Sequence, residues 1–354
     1  MMNEIRENAM LQKLASPFHR SPLQLNRMHE SDAEILLPGV TTESAIAITI
    51  DSVVEEIATG LYDDPWQIGW MSVMVSMSDL AATGATPIGI VISEVLPADC
   101  QAAYLEELQK GISDACAACG TYVLGGDTNF AHGLSLTGCA LGTVATGRRL
   151  SRIGCHPGDL LYATGPLGRG NAYAACKLLQ PRSPSIGYRP LARLAEGRAI
   201  RGIATACMDT SDGVLATLDQ LMRLNGVGFS LDENWESALD VEAAEQARKM
   251  GIPPWLLLAA EHGEFELLFT TAPADESRLM AHALEMGWQP LRIGRVVHAP
   301  AVRMYLYGEI ARLDTARIRN LPRAVGRDIR RYLSSLLEFD AEIRQNHDNT
   351  LTNT

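Results

Sequence analysis

The stretch from Thr49 to Pro87 constrains the fold of this chain more than any other. An apolar run that ends on Asp51 predicts a strand over residues 45–50, and the largely apolar segment after Pro65 predicts a helix that carries Asp79. A carboxylate at the end of a buried strand and another inside an apolar helix are both costly to desolvate. We therefore expect a positively charged group beside these two residues.

The composition is that of a globular protein with more than one domain. A chain of 354 residues is long enough for two cores, and its charged fraction of 20% is ordinary. The net charge of −12 argues against binding to nucleic acid or to an anionic membrane, but it suits a site that collects cations. Since neither a membrane-length apolar run nor a signal-peptide pattern is present, we expect a cytoplasmic protein.

The seven cysteines are scattered, which is typical of reduced thiols. Cys116 and Cys119 have the spacing of a redox motif. They lie near the end of a helix predicted over residues 101–118 and do not follow a strand, so we interpret them as small helix residues with no redox role.

The order of predicted elements divides the chain into four parts. Residues 1–28 carry little pattern and are expected to form a loose arm or a strand on a partner. A first domain (29–152) and a second domain (153–309) both mix strands with long helices, which gives an α/β (α+β) fold class. Residues 310–354 are rich in arginine and are predicted to be a helical extension packed on the body through Ile329, Leu333 and Leu336.

Six aspartates stand in short polar breaks beside apolar sequence. They are Asp32, Asp51, Asp79, Asp127, Asp209 and Asp212. Mg²⁺ takes oxygen ligands and is usually held by carboxylates together with substrate phosphates. The glycines before Asp127 would let a phosphate approach the backbone, and a predicted helix start after Asp212 offers free N–H groups. This pattern indicates a metal-dependent protein that handles phosphate.

Simpler explanations compete with each motif taken alone. Asp212 before a helix is typical of an N-cap, and Gly126-Asp127 is typical of a turn. The turn from Gly165 to Gly170 lacks the Gly-Lys-Ser/Thr of a P-loop. No cysteine and histidine spacing suggests zinc, and no Gly-x-Ser-x-Gly suggests an esterase. The residues alone therefore leave the kind of phosphate chemistry open.

The order of the motifs resembles that of the aminoimidazole-ribonucleotide-synthetase-like (PurM-like) superfamily, and within it the thiamine-monophosphate kinases. The resemblance runs from about residue 29 to 300. The matching segments are Asp51, 64–69, 78–87, 125–128, 152–159, 164–165, 209–213 and 266–270. Each segment alone is weak, but their shared order is specific.

The resemblance implies a PurM-like fold, with an N-terminal ATP-binding domain that pairs across a homodimer and a C-terminal α+β domain. It implies that ATP and Mg²⁺ bind in the cleft between the domains. The metal ligands by matching position are Asp32, Asp51, Asp79, Asp127, Asp209 and Asp212. Gly126, Asp127, Arg152 and Ser211 would contact the nucleotide. Asp79 and Asp212 are the implied catalytic residues.

The sequence departs from the kinase pattern where the kinases recognise their acceptor. The resemblance places a histidine at Ala58 and an acid at Gly263, and one carboxylate of a Gly-Asp-Asp is lost at Glu30-Ser31-Asp32. We therefore expect a phosphotransferase whose small-molecule acceptor is not thiamine monophosphate. The loops expected to select that acceptor are 53–63, 181–190 and 253–265.

Two alternatives stay open on the sequence. One is a synthetase or cyclase of the same fold, in which ATP activates an amide or carboxyl oxygen. The other is a nucleotide-binding regulator without catalysis.

Overall fold

A computed structural model describes residues 3–17, 21–37, 43–180, 186–326 and 328–352. The helices are α1 (Arg6–Ala15), α2 (Val54–Ala58), α3 (Pro65–Ala82), α4 (Ala102–Cys119), α5 (Arg169–Leu179), α6 (Leu194–Ala199), α7 (Val214–Asn225), α8 (Val241–Lys249), α9 (Leu256–Ala259), α10 (Glu276–Glu285), α11 (Thr315–Ala324) and α12 (Ile329–Thr352). The strands are β1 (Glu34–Leu36), β2 (Ser44–Ser52), β3 (Thr86–Pro97), β4 (Val123–Ala131), β5 (Ser135–Ala145), β6 (Leu160–Ala163), β7 (Ala204–Asp209), β8 (Gly228–Leu231), β9 (Leu267–Thr271), β10 (Leu291–Val297), β11 (Val302–Leu306) and β12 (Glu309–Leu313).

The first sheet has five strands in the order β1-β2-β5-β3-β4 and is antiparallel except for the β3–β4 pair. Helix α3 starts at Pro65, after Asp64 caps it by accepting from the Gln67 N–H at 2.8 Å. It is buried almost all round because it packs on the sheet and on α4. Two glycines permit the α3–α4 contact, since a Cβ on Gly69 would lie 2.1 Å from the Leu108 carbonyl and one on Gly111 would lie 2.0 Å from the Trp66 carbonyl.

The second sheet has seven strands in the order β12-β11-β8-β10-β6-β9-β7. Its edge strand β7 contacts α3 of the first domain. Because β7 ends on Asp209 and α3 carries Asp79 in its last turns, this contact joins acidic residues from the two halves of the chain.

The N-terminal segment differs from the predicted loose arm or partner strand. Helix α1 lies against α11, where Glu7 pairs with Arg323 at 3.2 Å and the Arg6 N–H donates to the Asn320 side chain at 3.0 Å. Since these partners lie more than 300 residues away in sequence, no local pattern reveals the helix. The prediction of a loose arm or strand is therefore wrong for this segment.

Three further boundaries differ from the sequence-based expectation. Asp51 lies within β2 and does not follow it. The segment 309–313 is strand β12 of the second sheet, so the helical extension starts at Thr315. The sequence pattern over residues 191–203 predicts one continuous helix, whereas the structure forms only the shorter helix α6 there.

Cys116 and Cys119 lie in α4, as expected. Burial raises the pKa of the Cys116 thiol to about 11 and that of Cys119 to about 12, which disfavours the reactive thiolate. Within the described ranges, no helix is both long and apolar enough to span a bilayer.

Candidate active site

Three of the predicted aspartates meet at the junction of the two sheets. Asp32 precedes β1, Asp79 lies in α3 and Asp209 ends β7. One carboxylate oxygen from each lies within 4.8 Å of the others. Residues that are up to 177 positions apart in the sequence thus form one group with the geometry of a cation site.

Fixed donors hold the carboxylates of this group. Arg152 donates two hydrogen bonds to Asp32, at 3.0 and 2.7 Å. Asp209 accepts from the Ser78 hydroxyl at 2.6 Å and from the Ser211 hydroxyl at 2.9 Å. The Thr49 hydroxyl donates to Asp79.

In this group, the negative charges of the aspartates are not fully compensated by neighbouring cations. Loss of solvation, together with repulsion from neighbouring aspartates, raises the pKa of Asp79 well above its usual value. Loss of solvation and the charge of Asp32 raise the pKa of Asp209 to about 7. Loss of solvation also raises the pKa of Asp51. A divalent cation would relieve this repulsion, so the residues present fit Mg²⁺.

Two more of the predicted site residues line a neighbouring cavity of about 590 Å³. Asp51 and Asp212 line it together with Asp79 and Ser211. We call this part of the cavity the acidic end, defined by Asp51, Asp79 and Asp212.

The remaining predicted residues have other surroundings. Asp127 lies on β4, whose nine residues are all exposed, and accepts from the Asn129 side chain at 2.6 Å. It is not part of the Asp32–Asp79–Asp209 group. A Cβ on Gly126 would lie 2.1 Å from the Ile92 carbonyl, so the glycine is required by strand pairing. Arg152, expected on a nucleotide, is engaged with Asp32.

Backbone packing fixes the turn that carries Asp212. A Cβ on Gly213 would lie 2.1 Å from the Ala260 carbonyl, and one on Gly263 would lie 1.5 Å from the Thr210 carbonyl. There is therefore no room for a side chain at Gly263, where the family resemblance places an acid. The loop around it is anchored by Asn171, whose amide donates to the Leu257 and Ala260 carbonyls at 2.8 and 2.9 Å.

The opposite part of the cavity is apolar. We call it the apolar chamber, defined by Ala174, Ala175, Leu178, Leu257, Ile329 and Leu333. It is walled by α5, α9 and α12. The predicted packing of Ile329, Leu333 and Leu336 on the body is confirmed, and these residues also line the cavity. Of the acceptor loops expected from the sequence, 53–63 and 253–265 contribute to the lining, while residues 181–185 of the third lie outside the described ranges.

Sequence reasoning missed an aromatic group beside the cavity. The Tyr62 hydroxyl lies 3.3 Å from His262 Nε2, and both residues line the cavity. Tyr188 packs against His262 and donates to the Gly263 carbonyl at 2.7 Å. Burial lowers the pKa of His262 to about 4, so this histidine is neutral near pH 7. No spacing in the sequence signals this group, because its members are brought together by the fold alone.

Comparison with known proteins agrees with this architecture. The family model for the N-terminal domain of AIR synthase related proteins matches residues 30–144. Thiamine-monophosphate kinase of Methanospirillum hungatei is 30% identical over 231 residues, which cover 63% of this chain and 73% of the relative.

Two solved structures extend the agreement across both sheets. AaThiL complexed with AMPPCP and TMP superposes with a TM-score of 0.69 at 22% identity, covering 86% of this chain and 95% of that one. HypE in a HypE–HypF complex gives a TM-score of 0.71 at 16% identity, covering 86% and 99%. The PurM-like fold expected from the sequence is confirmed.

Proposed function

Because this chain belongs to the thiamine-monophosphate kinase family of AIR synthase related proteins, we propose that it is an ATP- and Mg²⁺-dependent phosphotransferase whose small-molecule acceptor is not thiamine monophosphate. The observation that carries the proposal is the convergence of Asp32, Asp79 and Asp209 beside a cavity large enough for a small molecule. Such desolvated carboxylates are stable as anions only beside a cation.

The proposed metal ligands are Asp32, Asp79 and Asp209, together with Asp51 and Asp212 at the acidic end. Bound there, Mg²⁺ would neutralise charge on the transferring phosphoryl group. The chain's own residues supply orientation: Arg152 holds Asp32, and the hydroxyls of Ser78 and Ser211 hold Asp209. Asp127 is included among the proposed metal ligands only because of the family resemblance.

ATP is the proposed phosphoryl donor. The structure of AaThiL with AMPPCP, a nucleotide analogue, supports a nucleotide site in this fold. Gly126, Asp127, Arg152 and Ser211 are the proposed nucleotide contacts. Of these, Ser211 lines the cavity beside Asp212, whereas Gly126 and Asp127 lie on the exposed strand β4.

We also propose a homodimer formed through the first sheet. Its β3–β4 side exposes large apolar residues, among them Val91, Leu124 and Phe130, with exposed fractions of 39%, 53% and 67%. Apolar surface of this extent usually marks a contact with another protein. A dimer would also change the surroundings of Asp127, which lies on the same strand.

The test combines nucleotide binding with product detection. Titration calorimetry with AMPPCP and Mg²⁺ measures binding, and ³¹P spectroscopy of a pool of small metabolites incubated with Mg-ATP detects new phosphate esters. We expect binding and a new ester for the wild type, and loss of the ester for Asp79→Asn and Asp212→Asn. Asp99→Asn, an exposed position outside the site, is the matched control.

The outcome also separates the alternatives. Release of free phosphate with a dehydrated or condensed product would indicate the synthetase or cyclase, and binding without turnover would indicate the regulator. Full activity in both site variants would overturn the proposed site.

A further inference from the structure

Three arginines lie in one row across the outer face of the second sheet. Arg295 on β10 and Arg303 on β11 are both in register with Ser230 of β8, which stands between them. Arg303 is also directly opposite Arg312 of the edge strand β12. Because residues in register on neighbouring strands point to the same side of a sheet, the three side chains share one face. We call Arg295, Arg303 and Arg312 the arginine row; it is about 14 Å long, which is three strand spacings.

The face that carries the arginine row is open to solvent. In β8, β10 and β11, the residues on either side of each position in the row are buried, whereas Arg295 and Arg312 are exposed and Arg303 is half-buried. Two positions further along the strands, Tyr305 lies directly opposite Ile310, whose side chain is 65% exposed. The row is therefore bordered by an aromatic and an aliphatic side chain on the same face.

The positive charges of the row are not compensated within the described part of the chain. None of its three side chains forms an ion pair or a hydrogen bond with a described residue. Arg292 differs, since on the same strand as Arg295 it reaches Asp232 at 3.6 Å. Like charges directly opposite each other on two strands are destabilising. In a chain with a net charge of −12, the lack of an acid beside these arginines points to a complementary charge on another molecule.

The shape of this surface and the charge of the chain favour a protein over other anions. Sites for small molecules are usually concave, but the row lies across a sheet face and does not line the cavity of the proposed active site. A nucleic acid or an anionic membrane extends beyond the row and would meet the net negative charge of the chain. A short acidic segment would contact the row alone. Because an extended chain rises about 3.3 Å per residue and turns alternate side chains to one side, about five residues span the row.

We propose that the arginine row is a docking surface for an extended acidic segment of another protein. Acidic side chains at every second position of the segment face the three guanidinium groups, and Tyr305 and Ile310 flank them with apolar surface. Arginine and tyrosine are among the residues that contribute most to binding at protein interfaces. This docking surface is separate from the proposed phosphotransferase site, and neither proposal depends on the other.

The first experiment measures the binding of a model segment to the full-length protein. The probe is a dye-labelled peptide with capped ends, Glu-Thr-Glu-Thr-Glu, and its uncharged counterpart is Gln-Thr-Gln-Thr-Gln. In fluorescence anisotropy at low ionic strength, we expect the acidic peptide to bind at least tenfold more tightly. Its affinity should fall with added KCl, because salt screens exposed charges. Equal binding of the two peptides would overturn the proposal.

The second experiment locates the binding on the protein. The double variant Arg303→Gln/Arg312→Gln should bind the acidic peptide at least tenfold more weakly than the wild type. Lys110→Gln/Arg148→Gln removes two charges from exposed positions of the first domain and should change the affinity less than twofold. If both double variants lose affinity equally, the peptide responds to net charge alone. If neither loses affinity, the peptide binds elsewhere, and either result rejects the proposal.

Other anions test the choice of partner. Pentathymidylate and vesicles that contain phosphatidylserine present negative charge on a nucleic acid and on a membrane. Both should bind more weakly than the acidic peptide, and equally to the wild type and to Arg303→Gln/Arg312→Gln. Tighter binding of either one that is lost in this double variant would assign the row to that class of partner, and the proposal of a protein partner would be wrong.

A third experiment tests the repulsion within the row on the protein alone. Arg312→Gln removes one of two directly opposite charges, whereas Arg312→Lys keeps it. At low ionic strength, the glutamine variant should unfold at a higher temperature than the lysine variant, and added KCl should reduce the difference. If the glutamine variant is no more stable, Arg303 and Arg312 do not repel each other, and the case for a partner that supplies the missing acids fails.

Discussion

The two ends of the cavity are built by different means. Beside the acidic end, each carboxylate of the Asp32–Asp79–Asp209 group accepts a hydrogen bond from a fixed donor, and glycine backbones pack too closely for any side chain beside Asp212. The apolar chamber is enclosed by aliphatic side chains, whose packing is non-directional. Stabilising a charge requires donors in a fixed geometry, whereas an apolar wall tolerates other apolar side chains of similar volume.

This difference predicts that substitutions at the acidic end are far more disruptive than those in the chamber. The largest effect is expected for Gly263→Asp, which restores the acid implied by the family resemblance. Since even a Cβ would lie 1.5 Å from the Thr210 carbonyl, the turns at 210–213 and 260–263 must separate. We expect a loss of more than about 4 kcal/mol in the free energy of unfolding, measured by chemical denaturation.

Gly147→Asp is the control for that variant, because a Cβ at Gly147 meets no atom within 4 Å. Its free energy of unfolding should lie within about 0.5 kcal/mol of the wild type. A stable Gly263→Asp protein would show that the acidic end is less rigid than its backbone contacts indicate.

The second-largest loss of stability is expected at the ion pair that orients Asp32. Arg152→Met leaves this carboxylate without its charged partner in a site where its side chain is only 1% exposed. Removing one member of a buried pair typically costs about 3–5 kcal/mol. We expect a loss of that size by denaturation, and a smaller loss for Arg152→Lys, which keeps the charge but loses the two-pronged hydrogen bond. Equal stability of wild type and Arg152→Met would contradict this role.

The sequence predicted the acidic end better than the chamber for a physical reason. Asp51, Asp79 and Asp209 are polar residues within apolar sequence, so the sequence alone indicates that burying them is costly. Leu178 and Leu333 are apolar residues in helices, and the same pattern describes an ordinary core position. Helix α1 was missed because its partners on α11 are distant in sequence, and the convergence of Tyr62 with His262 has no local signal at all.

Mg²⁺ should raise the thermal stability of the protein by binding at the acidic end and nowhere else. A ligand that binds only the folded state at one hundred times its dissociation constant adds about 2.7 kcal/mol. We expect thermal scans to show a higher midpoint with MgCl₂ than with KCl at the same ionic strength. The increment should vanish in Asp79→Asn and persist in Ala175→Phe, a substitution in the apolar chamber. An equal increment in both variants would place the cation outside the acidic end.

The smallest effect is expected in the chamber wall. Leu178 is only half-buried and borders empty space, whereas Leu215 in α7 is fully buried. Truncation of a buried leucine typically costs about 2–5 kcal/mol, because it removes contacts and leaves a void. Leu178→Ala enlarges a cavity that already exists and gives up fewer contacts, so it should cost about 1 kcal/mol by chemical denaturation, clearly less than Leu215→Ala. If Leu178→Ala is as destabilising as Leu215→Ala, the chamber is part of the packed core and the contrast between the two ends of the cavity disappears.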